Sequence, residues 1–346
     1  MIKLQPQLLE VLNDRNDGVE GLRKTLQIAI HLELWVVPPY LYALYSIKPG
    51  QNSEIASLIR SIVAEEMLHL ALDCNLLNAI GGSPKLDNPN LLPRYPHRLP
   101  GSVEHSVVVR LAPFSKDILR EVFMRIEEPE IPINPFFSPE DPDPGEDHIT
   151  IGDFYQGIKE HIRRLGNEIF RGDPSRQLRT GFCELQSLDI RSVDSASDAI
   201  DLIVTQGEGT KQSPFDSETE LAHYYRFAEI YVGRKLVRDY DPPPGAPKFH
   251  YVGHAIPFNP SGVWPVVSDP SAFLYRRCPL LADLNRSFNG TYTRLLQTLQ
   301  RVFNGEPDWL SVGFTVMGSL EKQARAMMAM EIVPGLNAGP TFEYLE

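Results

Sequence analysis

The sequence predicts a mainly α protein built on a four-helix bundle with one long crossover. Two long segments with helical periodicity, about 18–46 and 53–79, follow each other closely and read as one antiparallel pair. Two more, about 151–171 and 217–238, read as a second pair. About 70 residues separate the pairs, which is bundle topology with a long connection.

The elements follow in order. The first helix should run from about Gly18 to Ser46 and the second from about Ser53 to Ala79, stopped by Gly81-Gly82-Ser83-Pro84. The insert 84–150 holds a strand expected at His105–Leu111, a helix at Ser115–Glu127 and a proline-rich loop at Pro129–Pro144. A third helix is expected at Ile151–Arg171, a strand at Phe182–Ile190 and a short helix at Ser195–Gln206. The fourth bundle helix should span Ser217, as N-cap, to Arg238. A proline-rich loop at 239–278 then leads to two C-terminal helices, Pro279–Phe303 and Pro307–Met330. The whole reads as a single elaborated domain over 1–346, with helix pairs at 18–79 and 151–238.

Composition excludes several classes. Of 346 residues, 42% are hydrophobic and 23% charged, ordinary for a globular chain with a sizeable core. The formal net charge of −12, with no basic run, argues against nucleic-acid and anionic membrane surfaces. Cys74, Cys183 and Cys278 are scattered, with no CxxC pair for zinc and no disulfide framework. No signal-peptide pattern opens the sequence, and the longest apolar stretch, Leu34–Tyr45, is too short to span a bilayer. A cytoplasmic protein is the expectation.

Chemistry concentrates in a repeated pattern. Helix two carries Glu65-Glu66-Met67-Leu68-His69, and Glu66 and His69, three apart, share one helix face. Glu220 and His223 repeat that spacing in helix four. Glu33 sits in the apolar run His31-Leu32-Glu33-Leu34-Trp35, and Glu160 lies in helix three. The order Glu, Glu-x-x-His, Glu, Glu-x-x-His, one element per helix, is the ligand set of ferritin-like dimetal carboxylate proteins. Carboxylates and imidazoles suit two iron ions, or manganese, where thiolates would suit zinc. Ile55, Ile59, Ile62, Glu66, His69 and Asp73 form one stripe at steps of three and four, so Glu66 and His69 fall on the buried face, where bare ionisable groups are costly. Asp73 is placed to accept the free ring N–H of His69, and Glu65, four residues before His69, stays open as a ligand or bridging partner.

The segments HLELWVVPPYLYALYS, AEEMLHLALDCNLLNAIGGSP, QGEGT, ELAHYYRFAEI, FNGTYTRLLQTLQRVFNG and MGSLEKQARAMMAM resemble the ferritin-like domain of iminophenyl-pyruvate dimer synthases of bisindole biosynthesis. The resemblance covers about Lys24 to Met330 and places that family's ligands on Glu33, Glu66, His69, Glu160, Glu220 and His223. It implies an amino-acid-derived substrate in specialised metabolism.

Other residues have two readings each. Pro38-Pro39 within helix one should either bend it, opening space beside Glu33, or end and restart it. Tyr40, Tyr42, Tyr45, Tyr155, Tyr224 and Tyr225 read first as core residues; Tyr40 and Tyr224 are candidates for substrate contact. Arg226 is placed either for an intrahelical ion pair with Glu229 or to grip a substrate carboxylate. Gly207-Glu208-Gly209 reads as a turn, and His250 and His254 as loop residues.

Together these predict a non-haem dimetal, first of all diiron, oxidase or oxygenase that uses O2 on a small-molecule substrate. Any reductant must come from an external partner, because no flavin or ferredoxin motif is present. A homo-oligomer is compatible with all of this. Two alternatives stay open: a dedicated imine dimer synthase, and a non-catalytic iron-binding protein, for which the chain is long.

Overall fold

The computed structural model describes residues 18–99, 107–129, 133, 151–179, 189–210, 213–216, 220–243 and 246–346. Helices α1 (Val19–Ser46) and α2 (Ser53–Ala79) form the most extensive packing with each other. Their apolar stripes meet through residues such as Leu22, Leu26, Ile55, Ile59 and Ile62, all fully buried. The end of α2 is closed from several sides. Arg23 of α1 donates to the Ile80 carbonyl at 2.7 Å, Gly82 N–H donates to Leu77 O, and Gly172 N–H donates to Ala79 O. At Gly172 only glycine fits, because a Cβ there would stand 1.8 Å from the Asn78 carbonyl oxygen.

The crossover carries a composite helical segment, α3. It runs as Lys116–Ile118, a π-helical turn at Leu119–Phe123, and Met124–Ile126, with Ser115 as N-cap. The strand expected at His105–Leu111 reduces to a single bridge between Val109 and His97; residues 105 and 106 lie outside the described residues. The strand expected at Phe182–Ile190 lies almost wholly outside them.

Helix α4 (Ile151–Leu165) is shorter than expected because Gly166, at φ +72°, breaks it. It pairs with α5 (Val193–Glu208), which opens on a Ser192/Ser195 capping box. Helix α5 also packs on α2, so the second helical pair is α4 with α5, not α4 with the segment expected at 217–238. That segment is helical only as α6 (His223–Val232). Bridges between Thr210 and Ser213, and between Phe215 and Leu221, take up the preceding chain, and Gly233 in the left-handed region ends the helix. Ser217, the expected N-cap, lies outside the described residues. Residues to Arg238 instead enter a two-stranded antiparallel ladder, β1 (Val237–Arg238) with β2 (Phe249–His250).

Helices α7 (Pro279–Val302) and α8 (Leu310–Met328) form a C-terminal hairpin whose second arm packs on α1. A small hairpin, β3 (Glu331–Val333) with β4 (Leu336–Asn337), follows. Among the described residues no helix is long and apolar enough to cross a membrane.

Helix α1 runs without interruption through Pro38 and Pro39. Pro39 lacks the N–H that would serve the Trp35 carbonyl, and the Tyr95 hydroxyl donates to that carbonyl instead, at 2.8 Å. Tyr95→Phe should therefore leave a carbonyl without its donor and cost about 1–3 kcal/mol. Urea denaturation of the two proteins checks this; an unchanged midpoint would refute the role.

Candidate metal centre

The middle of the bundle buries an unusual density of ionisable groups. Glu33 on α1, Glu66 and His69 on α2, Glu127 at the end of α3 and His223 at the start of α6 are all buried. The two imidazoles lie near-parallel, with ring centroids 5.3 Å apart. Glu66 stands between them. Its Oε1 is 2.8 Å from His223 Nδ1 and its Oε2 is 3.9 Å from His69 Nδ1. Glu33 flanks His69, with Oε2 3.8 Å from Nδ1, and Glu127 flanks His223, with Oε2 3.5 Å from Nδ1. Ligand atoms of Glu66, His69 and His223 all fall within 4.8 Å of one another. Glu33, Glu66, His69, Glu127, Tyr155 and Glu208 share the lining of one small cavity of about 40 Å³, room for a few water-sized occupants.

The outer nitrogen of each imidazole is held. His69 Nε2 is 3.0 Å from Gln206 Oε1 on α5, and His223 Nε2 is 3.0 Å from Glu65 Oε2. Both partners accept, so each ring donates from Nε2 and turns Nδ1 to the cluster. Glu65 is itself fixed by a bidentate grip from Arg226, at 2.8 and 2.7 Å. Arg226 also donates through Nε to the Leu221 carbonyl. Tyr40 donates to Glu127 Oε1.

Tyr155 lies 2.6 Å from Glu33 Oε1 and 2.8 Å from Asp73 Oδ2. One hydroxyl proton cannot serve both carboxylates. Burial, and then the charge of Glu33, push the Asp73 carboxyl well above its ordinary value, so Asp73 keeps a proton. Asp73 then donates to the Tyr155 oxygen, and Tyr155 donates to Glu33.

The electrostatics are those of a site short of positive charge. Burial, then repulsion from Glu127, raises Glu66 well above the usual carboxylate range despite His223. Burial also opposes ionisation of Glu33, but hydrogen bonding and charge from His69 outweigh it and lower its pKa. For His223 burial disfavours the charged ring, yet Glu66, Glu127 and Glu65 together raise it well above 6.5. Burial pushes Glu65 up, but His223 and Arg226 win and bring it down to about 2. His223 Nδ1, although 2.8 Å from Glu66, has no hydrogen bond with acceptable alignment. Two donor atoms that close and not aimed at each other fit a cation between the cluster's donors.

Of the residues expected from the sequence, Glu33, Glu66, His69 and His223 are brought together. Glu160 and Glu220 are not. Glu160 lies on the exposed face of α4, hydrogen-bonded to Gln156, while Tyr155, Ile158 and Ile162 take the inner face. Glu220 precedes α6 in non-helical chain and is exposed. The Glu-x-x-His spacing shares a face only inside a helix, and this helix begins at His223. Their places at the cavity are taken by Glu127 and Glu208. Glu208 ends α5 and accepts from Gly152 N–H at 2.7 Å. Glu208 was legible only as an acid flanked by glycines, and Glu127 only as the acid closing the Ser115–Glu127 helix. Asp73 serves Tyr155 rather than His69, and Glu65 supports His223 from outside the cluster. Arg226 grips Glu65 rather than Glu229, which instead pairs with Lys235 at 2.7 Å. Tyr224 is fully buried against Tyr225 in an edge-to-face pair. His250 and His254 lie away from the cluster, facing Pro247 O and Glu54.

A family model described as ferritin-like matches residues 26–232, and the chain belongs to that family. The crystal structure of a ferritin-like protein from Caulobacter vibrioides aligns with a TM-score of 0.57, over 94% of this chain and 97% of that one. At 22% identity that likeness shows the fold. No curated protein matches the chain significantly.

The charge pattern predicts how the metal-free protein responds to pH. His223, raised on folding, contributes stability that is complete below 6.5 and lost as pH climbs through its folded value. Glu65, lowered from 4.5 to about 2, contributes stability that is complete above 4.5 and lost as pH falls through 2. Stability of the metal-free protein should therefore peak in the mildly acidic range and fall on the alkaline side. Urea midpoints from pH 4 to 9 would show it; a rise in midpoint from pH 6 to 9 would contradict the assignment.

Proposed function

We propose that this chain is a non-haem dimetal carboxylate oxidoreductase, with iron as the first candidate metal and manganese the second. One observation carries the reading: four carboxylates and His69 line one small cavity, His223 stands 2.8 Å from Glu66 beside it, and both outer imidazole nitrogens are held by acceptors. Glu33 with His69 would hold one ion and Glu127 with His223 the other. Glu66 stands between them, and Glu208 closes the rim. A pair of such ions supplies two-electron redox chemistry with O2 when bound.

The remaining work falls to the protein. Gln206 and Glu65 fix the two rings so that Nδ1, once its proton is displaced, faces the cluster as a lone-pair donor. Tyr40 and Tyr155 each hold one carboxylate oxygen by a hydroxyl, which leaves the second oxygen of Glu127 and of Glu33 turned to the imidazoles. Asp73 stores a proton next to Tyr155, within a hydrogen-bonded line that ends on Glu33. Leu32, Val36, Leu99, Ile126 and Ile203 give the cavity apolar walls that keep bulk water out. The resemblance of the helical motifs to iminophenyl-pyruvate dimer synthases supports a small, amino-acid-derived substrate, and imine coupling is the narrower form of this proposal. A second reading, iron binding without organic chemistry, is favoured by the size of the cavity, about 40 Å³, which admits ions and water but no organic molecule as it stands.

Metal analysis of purified protein tests the centre. The wild type should hold about two iron or manganese ions per chain, and Glu66→Ala/His69→Ala should lose them. No transition metal after anaerobic Fe(II) loading would overturn the proposal. O2 consumption stimulated by amino-acid-derived substrates separates the oxidoreductase from the iron binder.

The same centre predicts two further results. Metal uptake must displace protons from His223 and Glu66, so apparent affinity should rise with pH across the neutral range, with proton release visible by calorimetry in buffers of different ionisation enthalpy. Gln206→Leu and Glu65→Gln should each weaken metal binding by about 10–100-fold while the fold survives. Glu160→Gln and Glu220→Gln should leave metal content unchanged.

A further inference from the structure

A second, larger cavity lies between α1, α2 and the C-terminal α7–α8 hairpin. It measures about 470 Å³, and it shares no lining residue with the metal-centre cavity. Leu34 and Met67 line it, each one position after a cluster residue, Glu33 and Glu66. Successive helical residues point about 100° apart, so the α1–α2 pair itself is the wall between the two cavities. Pro38 faces this larger space and not the cluster.

The space opens to solvent along α8, where Phe314 and Gly318 are exposed. Its volume lies in the size range of small-molecule sites. Its body is apolar: Leu41, Val63, Leu295, Leu299 and Phe314 are among its walls. Gly318 of α8 also borders it, and a Cβ there would meet no atom within 4 Å, so the space runs up to the α8 backbone.

Charge is confined to one edge. Glu321 and Arg60 line the cavity, and Arg325 stands beside them. Glu321 accepts from Arg325 Nε at 2.9 Å, and Arg325 is further tied to the Ile47 carbonyl at 2.6 Å. Arg60 is held loosely, 3.5 Å from Glu321 with its side chain 57% exposed. Glu321 thus keeps a partner if Arg60 turns away, and Arg60 is the cation able to meet an anionic group at the mouth.

We propose that this cavity binds a free fatty acid of medium chain length, with its acyl chain along the apolar body and its carboxylate on the Arg60 guanidinium. This site is independent of the metal centre and goes beyond the oxidoreductase reading.

Isothermal titration of the full chain with monomeric sodium dodecanoate tests it. Saturable binding of one dodecanoate per chain is expected. Gly318→Leu, which fills open space, should weaken binding about tenfold or more without lowering the thermal transition. Arg60→Gln should weaken dodecanoate about tenfold and leave dodecanol unaffected. Glu66→Ala/His69→Ala should bind dodecanoate like the wild type, so failure of the metal proposal would leave this one standing. Absence of saturable binding, or equal binding by Gly318→Leu, would overturn the site. So would a sedimentation-detected dimer that Gly318→Leu dissociates, which would make this face a self-association surface. Binding only to dioleoylphosphatidylglycerol vesicles, with none to monomeric dodecanoate, would overturn the free-acid occupant in favour of a lipid surface.

Discussion

The structure turns on the burial of Glu33, Glu66, Glu127, His69 and His223 in one cluster. Removing carboxylates from water is costly, and placing three of them together adds mutual repulsion. In the metal-free protein the cost is met by protons: His223 is held charged, Glu66 is pushed toward its neutral form, and Asp73 keeps a proton behind Tyr155. A pair of cations would meet the same need with more charge in less space. Most of the surrounding polar architecture serves this cluster, from the Arg226–Glu65 pair behind one imidazole to Gln206 behind the other.

The scaffold explains how such a cluster is tolerated. Helices α1 and α2 pack along most of their length and supply three of the five buried groups from one rigid pair. Helix α3 delivers Glu127 from the crossover, and its π-helical turn lies just before that residue; such turns recur where a helix must redirect a functional side chain. Helix α6 presents His223 as its first residue, immediately after non-helical chain. The cluster is thus assembled from four separate parts of the chain, and α5 closes it with Gln206 and Glu208.

Much of this was legible in advance. The stripe through Ile55, Ile59, Ile62, Glu66, His69 and Asp73 identified the buried face of α2, because periodicity of 3.6 is a local property of the chain. Glu33, alone among apolar neighbours, was legible for the same reason. Glu160 and Glu220 misled because spacing defines a face only where the chain is helical and only relative to a packing partner. Glu160 has the helix but faces out, and Glu220 lacks the helix.

By itself the sequence determined the class of fold, the bounds of α1 and α2 to within a residue, and the burial of Glu33, Glu66 and His69, since each depends on helical periodicity and local stop signals; His223 was named through a spacing to Glu220 that the chain does not realise as a helix. Only the tertiary structure decided which further acids line the same cavity. Glu127 and Glu208 come from a crossover segment and a helix end, and nothing in their local sequence distinguishes them from surface acids. Their role follows from where the packing of α3 and α5 against α2 and α6 carries them, and long-range packing is not written in any short window of the chain.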